Sequence, residues 1–122
     1  MNNFIPAVLT IAGSDSGGGA GIQADLRTFN AFNVYGCSAI TAVTSQNPNE
    51  VRRVDVLSVQ AVKTQLESVL AAFPVRFAKT GMLANTAIIE CVANMAKKYN
   101  LQLIADPVMV STSGTRLLEE SA

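Results

Sequence analysis

The chain has 122 residues, 49% hydrophobic and 15% charged, and its nine basic and nine acidic side chains leave no formal net charge. A domain of this size buries roughly two-thirds of the surface of its unfolded chain, enough for an apolar core without metals or disulfides, while the balanced charge and a pI near 6.2 give no field for tracking nucleic acid. The absence of histidine excludes a Ser-His-Asp triad, a Cys-His pair and a His-ligated zinc, so any acid–base work falls to carboxylates, Cys, Lys or Tyr.

The hydrophobic period switches repeatedly along the chain. Ala7 to Ala12, ending at Gly13, has the profile of a strand buried on both faces. A glycine-rich loop follows, and then Ile22, Leu26, Phe29 and Phe32 recur at helical spacing. Gly36 to Val43 is a second apolar strand; Val51 to Val56 alternates, as a short edge strand or an extended connection would. Val59, Val62, Leu66, Val69, Leu70 and Phe73 mark an amphipathic helix that Pro74 stops. Val75 to Ala78 is the next strand, Ala87 to Tyr99 a helix with Ile88, Val92, Met95 and Tyr99 on one face, and Leu101 to Ala105 a further strand. This alternation calls for an α/β fold, a mostly parallel sheet with helices on both faces.

Arg116 to Ala122 reads as the first turns of another helix. A parallel sheet needs such a helix to cover its last edge, so residues 1–122 are expected to be the N-terminal part of a longer domain. Cys37 and Cys91 stand in apolar stretches with neither disulfide nor metal spacing, which points to reduced core thiols in the cytoplasm. Phe4 to Gly13 is too short to span a bilayer, and the first basic side chain is Arg27. No membrane targeting is expected.

Ligands of an open α/β sheet bind beyond the carboxyl ends of the strands. Four segments qualify. Gly13-Ser14-Asp15-Ser16-Gly17-Gly18-Gly19-Ala20-Gly21 leaves the first strand; it lets a ligand approach backbone closely or is simply a loop needing positive φ. It is not a Walker A loop, because Gly19 stands where Lys is required. Gly19-x-Gly21-x-x-Ala24 satisfies a dinucleotide fingerprint, but the ribose-binding acid is missing from Thr44-Ser45-Gln46-Asn47. Asp25, placed in the first turn of the following helix, serves either the helix dipole or a ligand. Gln46 is an exposed polar strand end, or an amide whose one acceptor and two donors complement an aminopyrimidine edge or any other amide. Met82, after Lys79-Thr80-Gly81, is core or a thioether packed on a flat ring. Asp106, before Pro107, forms a turn, holds Mg2+ or orients a hydroxyl.

Taken together, the loop from Gly13 through Asp25-Leu26, the stretch Tyr35-Gly36-Cys37-Ser38-Ala39-Ile40-Thr41-Ala42-Val43-Thr44-Ser45-Gln46-Asn47, the segment Lys79-Thr80-Gly81-Met82-Leu83 and the segment Asp106-Pro107-Val108-Met109-Val110 closely resemble the hydroxymethylpyrimidine/phosphomethylpyrimidine kinase family of thiamine biosynthesis, in the ribokinase-like superfamily. The resemblance implies ATP-dependent phosphorylation of 4-amino-5-hydroxymethyl-2-methylpyrimidine and then of its monophosphate. It implies that Gln46 reads the pyrimidine and that Gly13, Ala20, Met82 and Val108 wall the pocket. Asp25 would lie near the reacting hydroxymethyl group and Asp106 near the phosphates and Mg2+. Family members are about twice as long. Their anion hole, catalytic Cys or Asp and most ATP contacts lie in the C-terminal half, so no catalytic residue is expected in residues 1–122, and neither Cys37 nor Cys91 takes that place. The full-length form is expected to be a homodimer. Pyridoxal kinase of the same superfamily is a second reading, which Gln46 and the Gly17 to Gly21 loop disfavour. A dinucleotide- or small-ligand-binding module is a third.

Overall fold

The structure is a computed structural model that describes residues 4–108 and 114–122. Met109 and Val110 of the fourth motif, and loop residues 111–113, lie outside the described residues. In chain order come β1 (Ala7–Asp15), α1 (Gly21–Ala31), β2 (Tyr35–Asn47), β3 (Glu50–Val56), α2 (Val59–Ala72), β4 (Phe77–Thr80), α3 (Thr86–Lys98) and β5 (Gln102–Ala105). They form a sheet of order β3-β2-β1-β4-β5, in which β1 pairs in parallel with β2 and β4, β4 with β5, and β3 is antiparallel to β2. The expected mostly parallel sheet is therefore present, and the segment Val51 to Val56 is a true edge strand.

The two faces of β1 and β2 are covered by different helices. Leu9, Ile11, Cys37 and Ala39 pack with Val62 and Leu66 of α2 and Ile88, Val92 and Met95 of α3 in the main core. Such a stripe, recurring at i, i+4 and i+7, is what drives an amphipathic helix onto a sheet. Ser58 and Asn85 cap α2 and α3 by accepting from the backbone N–H three residues on, as N-cap side chains do. The other face receives α1. A Cβ on Gly36 would stand 2.8 Å from Leu26 Cδ2 and 3.0 Å from Phe29 Cδ2, so the helix rests directly on the β2 backbone.

β2 outruns its antiparallel partner, whose pairing begins at Ala42 opposite Val56. Gln65 of α2 covers the strand edge beyond it: Ile40 N–H donates to its Oε1 at 2.8 Å, and its Nε2 donates to the Ile40 carbonyl at 2.9 Å. One side chain thus supplies the donor and the acceptor that a neighbouring strand would have offered.

Several expectations are corrected. β1 continues through Gly13 to Asp15 instead of ending at the glycine, because Ser14 and Asp15 still pair with Val43 and Thr44 across a bulge. The third parallel strand is Phe77–Thr80, two residues later than expected, because Val75 N–H turns back onto the Phe73 carbonyl beside Pro74. Arg116 to Ala122 does not form a helix. Glu119 N–H instead bonds to the Ala84 carbonyl, and Leu117 packs against the cluster of Ala42, Met82 and Ala84, so tertiary contacts hold this segment irregular. All four residues of β5 are exposed, Ile104 at 67%.

Replacing Gln65 with Leu is expected to lower unfolding free energy by about 1–2 kcal/mol in urea melts, since two backbone groups lose their partners in a site only partly open to water.

Candidate functional site

The carboxyl ends of β1, β2, β4 and β5 and the start of α1 surround a cavity of about 290 Å³. That is the scale of a single-ring ligand, at the lower end of small-molecule sites. Gly13 and Ala20 form backbone wall on the β1 side, Gln46 closes the end of β2, Met82 follows β4, and Asp106 and Val108 follow β5. Asp25 enters from α1. All seven residues singled out in the sequence thus border one space, although they come from four separate segments.

The glycine loop is shaped from within by Asp15. Its buried carboxylate accepts from Gly17 N–H and Ala20 N–H, each at 2.8 Å, and its carbonyl accepts from Gly18 N–H at 3.0 Å. Consecutive backbone N–H groups in such a turn make an anion nest; here the chain's own carboxylate takes two of the donors. Gln23 secures the base of the loop, accepting from Asp15 N–H at 2.8 Å and donating to Ser14 Oγ at 2.7 Å. Gly21 has a φ of +59°, and a Cβ there would collide with the Gly13 carbonyl. The last glycine is therefore a steric requirement.

Asp25 is not in the first turn of α1, which begins at Gly21, so the helix-dipole reading does not describe it. Its carboxylate instead accepts from Thr10 Oγ1 at 2.6 Å and from Lys79 Nζ at 3.0 Å to each oxygen. With side chains 27% and 17% exposed, this Lys79–Asp25 pair is shielded far more than a surface pair. Met82 is core and cavity wall at once: its carbonyl accepts from Thr41 Oγ1 at 2.6 Å, and it forms a buried cluster with Ala42 and Ala84 against which Val54, Val108 and Leu117 pack. Asp106 is exposed, with its N–H bonded to the Thr80 carbonyl at 3.1 Å. Among the described residues no group of three or more His, Cys, Asp or Glu side chains is placed to hold a metal. Burial pushes the thiols of Cys37 and Cys91 above their ordinary range. Neither lines the cavity, so neither is an activated nucleophile.

Sequence reasoning missed Asp15, Lys79, Thr10, Thr44 and Leu117 as parts of this site. Lys79 carried a signal: an ammonium inside an otherwise apolar strand needs a buried partner. Leu117 carried none, because its contact depends on how the segment after β5 returns.

With this geometry in place, the profile of the phosphomethylpyrimidine kinase family matches residues 15–122. The chain belongs to that family. A hydroxymethylpyrimidine/phosphomethylpyrimidine kinase of Synechococcus elongatus is 52% identical over 118 residues, covering 97% of this chain and 45% of the relative. The crystal structure of a phosphomethylpyrimidine kinase from Clostridium difficile superposes with a TM-score of 0.86 at 49% identity, over 94% of this chain and 50% of that one. A pyridoxal kinase of Bacillus subtilis, solved as an ADP complex, gives 0.81 at 42% identity, covering 88% of this chain and 41% of that one. The fold is thus the ribokinase-like one, and the chain spans about half the length of the relatives it matches. No helix among the described residues is long and apolar enough to cross a membrane.

Asp15→Ala should cost about 2–3 kcal/mol of stability, because two loop N–H groups lose a charged acceptor in a buried position. Asp15→Asn, which keeps one acceptor oxygen, should lose less in the same denaturant titration.

Proposed function

We propose that the chain forms the pyrimidine-binding, N-terminal part of a single kinase domain that phosphorylates 4-amino-5-hydroxymethyl-2-methylpyrimidine and its monophosphate with ATP. The observation that carries this reading is the meeting of Gln46, Met82, Val108 and Asp25 around one small cavity in a member of the phosphomethylpyrimidine kinase family. The Gln46 amide accepts from the 4-amino group and donates to the neighbouring ring nitrogen. Met82 and Val108 flank the ring, while Gly13 and Ala20 let backbone approach it. Asp25, oriented by Lys79 and Thr10, orients the hydroxymethyl group.

The glycine loop belongs to the acceptor side in this reading. Two of its amides already serve Asp15, which argues against a phosphate cradle there and against a dinucleotide module. ATP phosphates then take their donors from the C-terminal half that the longer relatives possess. Mg2+ ordinarily binds one or two carboxylates together with phosphate oxygens and waters, so Asp106 fits as one protein ligand. When bound, the ion would neutralise charge on the transferring phosphate. The family suits a homodimer, and the free thiols of Cys37 and Cys91 suit the cytoplasm.

Joining this chain to the C-terminal half of the Synechococcus elongatus relative should yield Mg2+-dependent phosphorylation of the hydroxymethylpyrimidine. In that enzyme Gln46→Leu should weaken pyrimidine binding by about 2–4 kcal/mol in calorimetry and leave ATP affinity unchanged, since the amide is read in a site closed to water. Asp106→Asn should lower turnover more than pyrimidine affinity. Saturable micromolar NAD binding by the 122-residue chain, or tighter binding of pyridoxal than of the pyrimidine, would overturn the assignment.

A further inference from the structure

A glutamine amide has nearly the same shape at its two ends but opposite chemistry. Turning it over exchanges one acceptor for two donors. A pocket that reads an amino group beside a ring nitrogen must therefore hold the amide in one sense, and the free side chain has no such preference.

Two contacts restrain Gln46. Its backbone is clamped to the glycine loop by Ser16, whose hydroxyl accepts from Gln46 N–H and donates to the Gln46 carbonyl, both at 2.7 Å. That leaves side-chain rotation as the remaining freedom. At the amide, the Thr44 hydroxyl lies 3.1 Å from Oε1 and 2.8 Å from the Ser14 carbonyl oxygen. Thr44 is 4% exposed and lines the same cavity. The hydroxyl has one proton to donate and stands within donor range of both oxygens, and at this burial water has little access to replace it.

We infer that Thr44 is a positioning residue that sets the sense of the Gln46 amide: its hydroxyl keeps Oε1 on the Thr44 side, leaving a second lone pair for a ligand amino group and both Nε2 protons for an adjacent ring nitrogen. This rests on the pyrimidine reading above and deepens it, because it makes discrimination between a 4-amino and a 4-oxo ring depend on a residue that need not touch the ligand. Thr44 also ties the end of β2 to β1 through Ser14. A merely structural role would weaken binding of both rings alike, whereas an orienting role changes their ratio.

The test compares binding of 4-amino-5-hydroxymethyl-2-methylpyrimidine and its 4-oxo counterpart to the intact chain by calorimetry. Thr44→Val should reduce the preference for the amino ring about five- to tenfold, the scale of one hydrogen bond, and Thr44→Ser, which keeps the hydroxyl, should restore it. An unchanged ratio in Thr44→Val overturns the inference. The wild-type chain supplies a second measurement should the valine variant fail to fold: a strong nuclear Overhauser contact between a Gln46 amide proton and the Thr44 side chain would show the amide turned over and refute the stated sense, while its absence supports it. If the wild-type chain binds neither ring, the same comparison in the joined enzyme decides: failure there defeats the pyrimidine reading, while the Overhauser measurement decides the amide orientation by itself.

Discussion

Everything in this structure is organised around a strand with no free edge. β1 is paired along one side with β2 and along the other with β4, so its backbone is saturated and its residues alternate between two covered faces. Leu9 and Ile11 feed the core beneath α2 and α3, while Thr10, between them, reaches Asp25 on α1. The strand cannot slip by one residue without exchanging a leucine for a threonine in the apolar core. That constraint also decides where the strand ends, and hence where the cavity lies.

At that end the chain departs from regular pairing. A bulge between Ala12 and Ser14 leads into the glycine loop, whose turn closes on the Asp15 carboxylate. Gly-rich strand-to-helix turns in α/β proteins commonly present their N–H groups to a phosphate. Here an internal carboxylate takes that part. The loop becomes a rigid wall against which Ser16 holds Gln46. A motif that reads as a nucleotide fingerprint by spacing alone therefore has different chemistry once its donors are accounted for.

The Lys79–Asp25 pair joins β4 to α1 across the mouth of β1. Thr10 adds a third contact from the strand between them. Removing two charges from water is costly unless each finds partners, and this cluster supplies them while leaving the carboxylate on the cavity wall. Asp25 is thus fixed by tertiary contacts before any ligand arrives, the condition under which a polar group orients a substrate without reorganising.

The order of strands and helices was legible from hydrophobic period, because burial on one helix face or on both faces of a strand leaves its mark in residue spacing. The four strand-end segments were legible for a related reason: in a parallel sheet the ligand side is set by chain direction, and polar or glycine residues at those ends stand out against apolar strands. What spacing could not show was partnership. Asp25 and Lys79 are separated by 54 positions, and nothing local says that one will answer the other. The fate of Arg116 to Ala122 likewise depended on contacts with Ala84 and Met82 that outweigh a helical pattern. Local sequence determined the elements and the polarity of their ends; the sheet's order and the return of distant segments decided which side chains meet, because hydrogen bonds and ion pairs depend on distance in space and carry no trace of it along the chain.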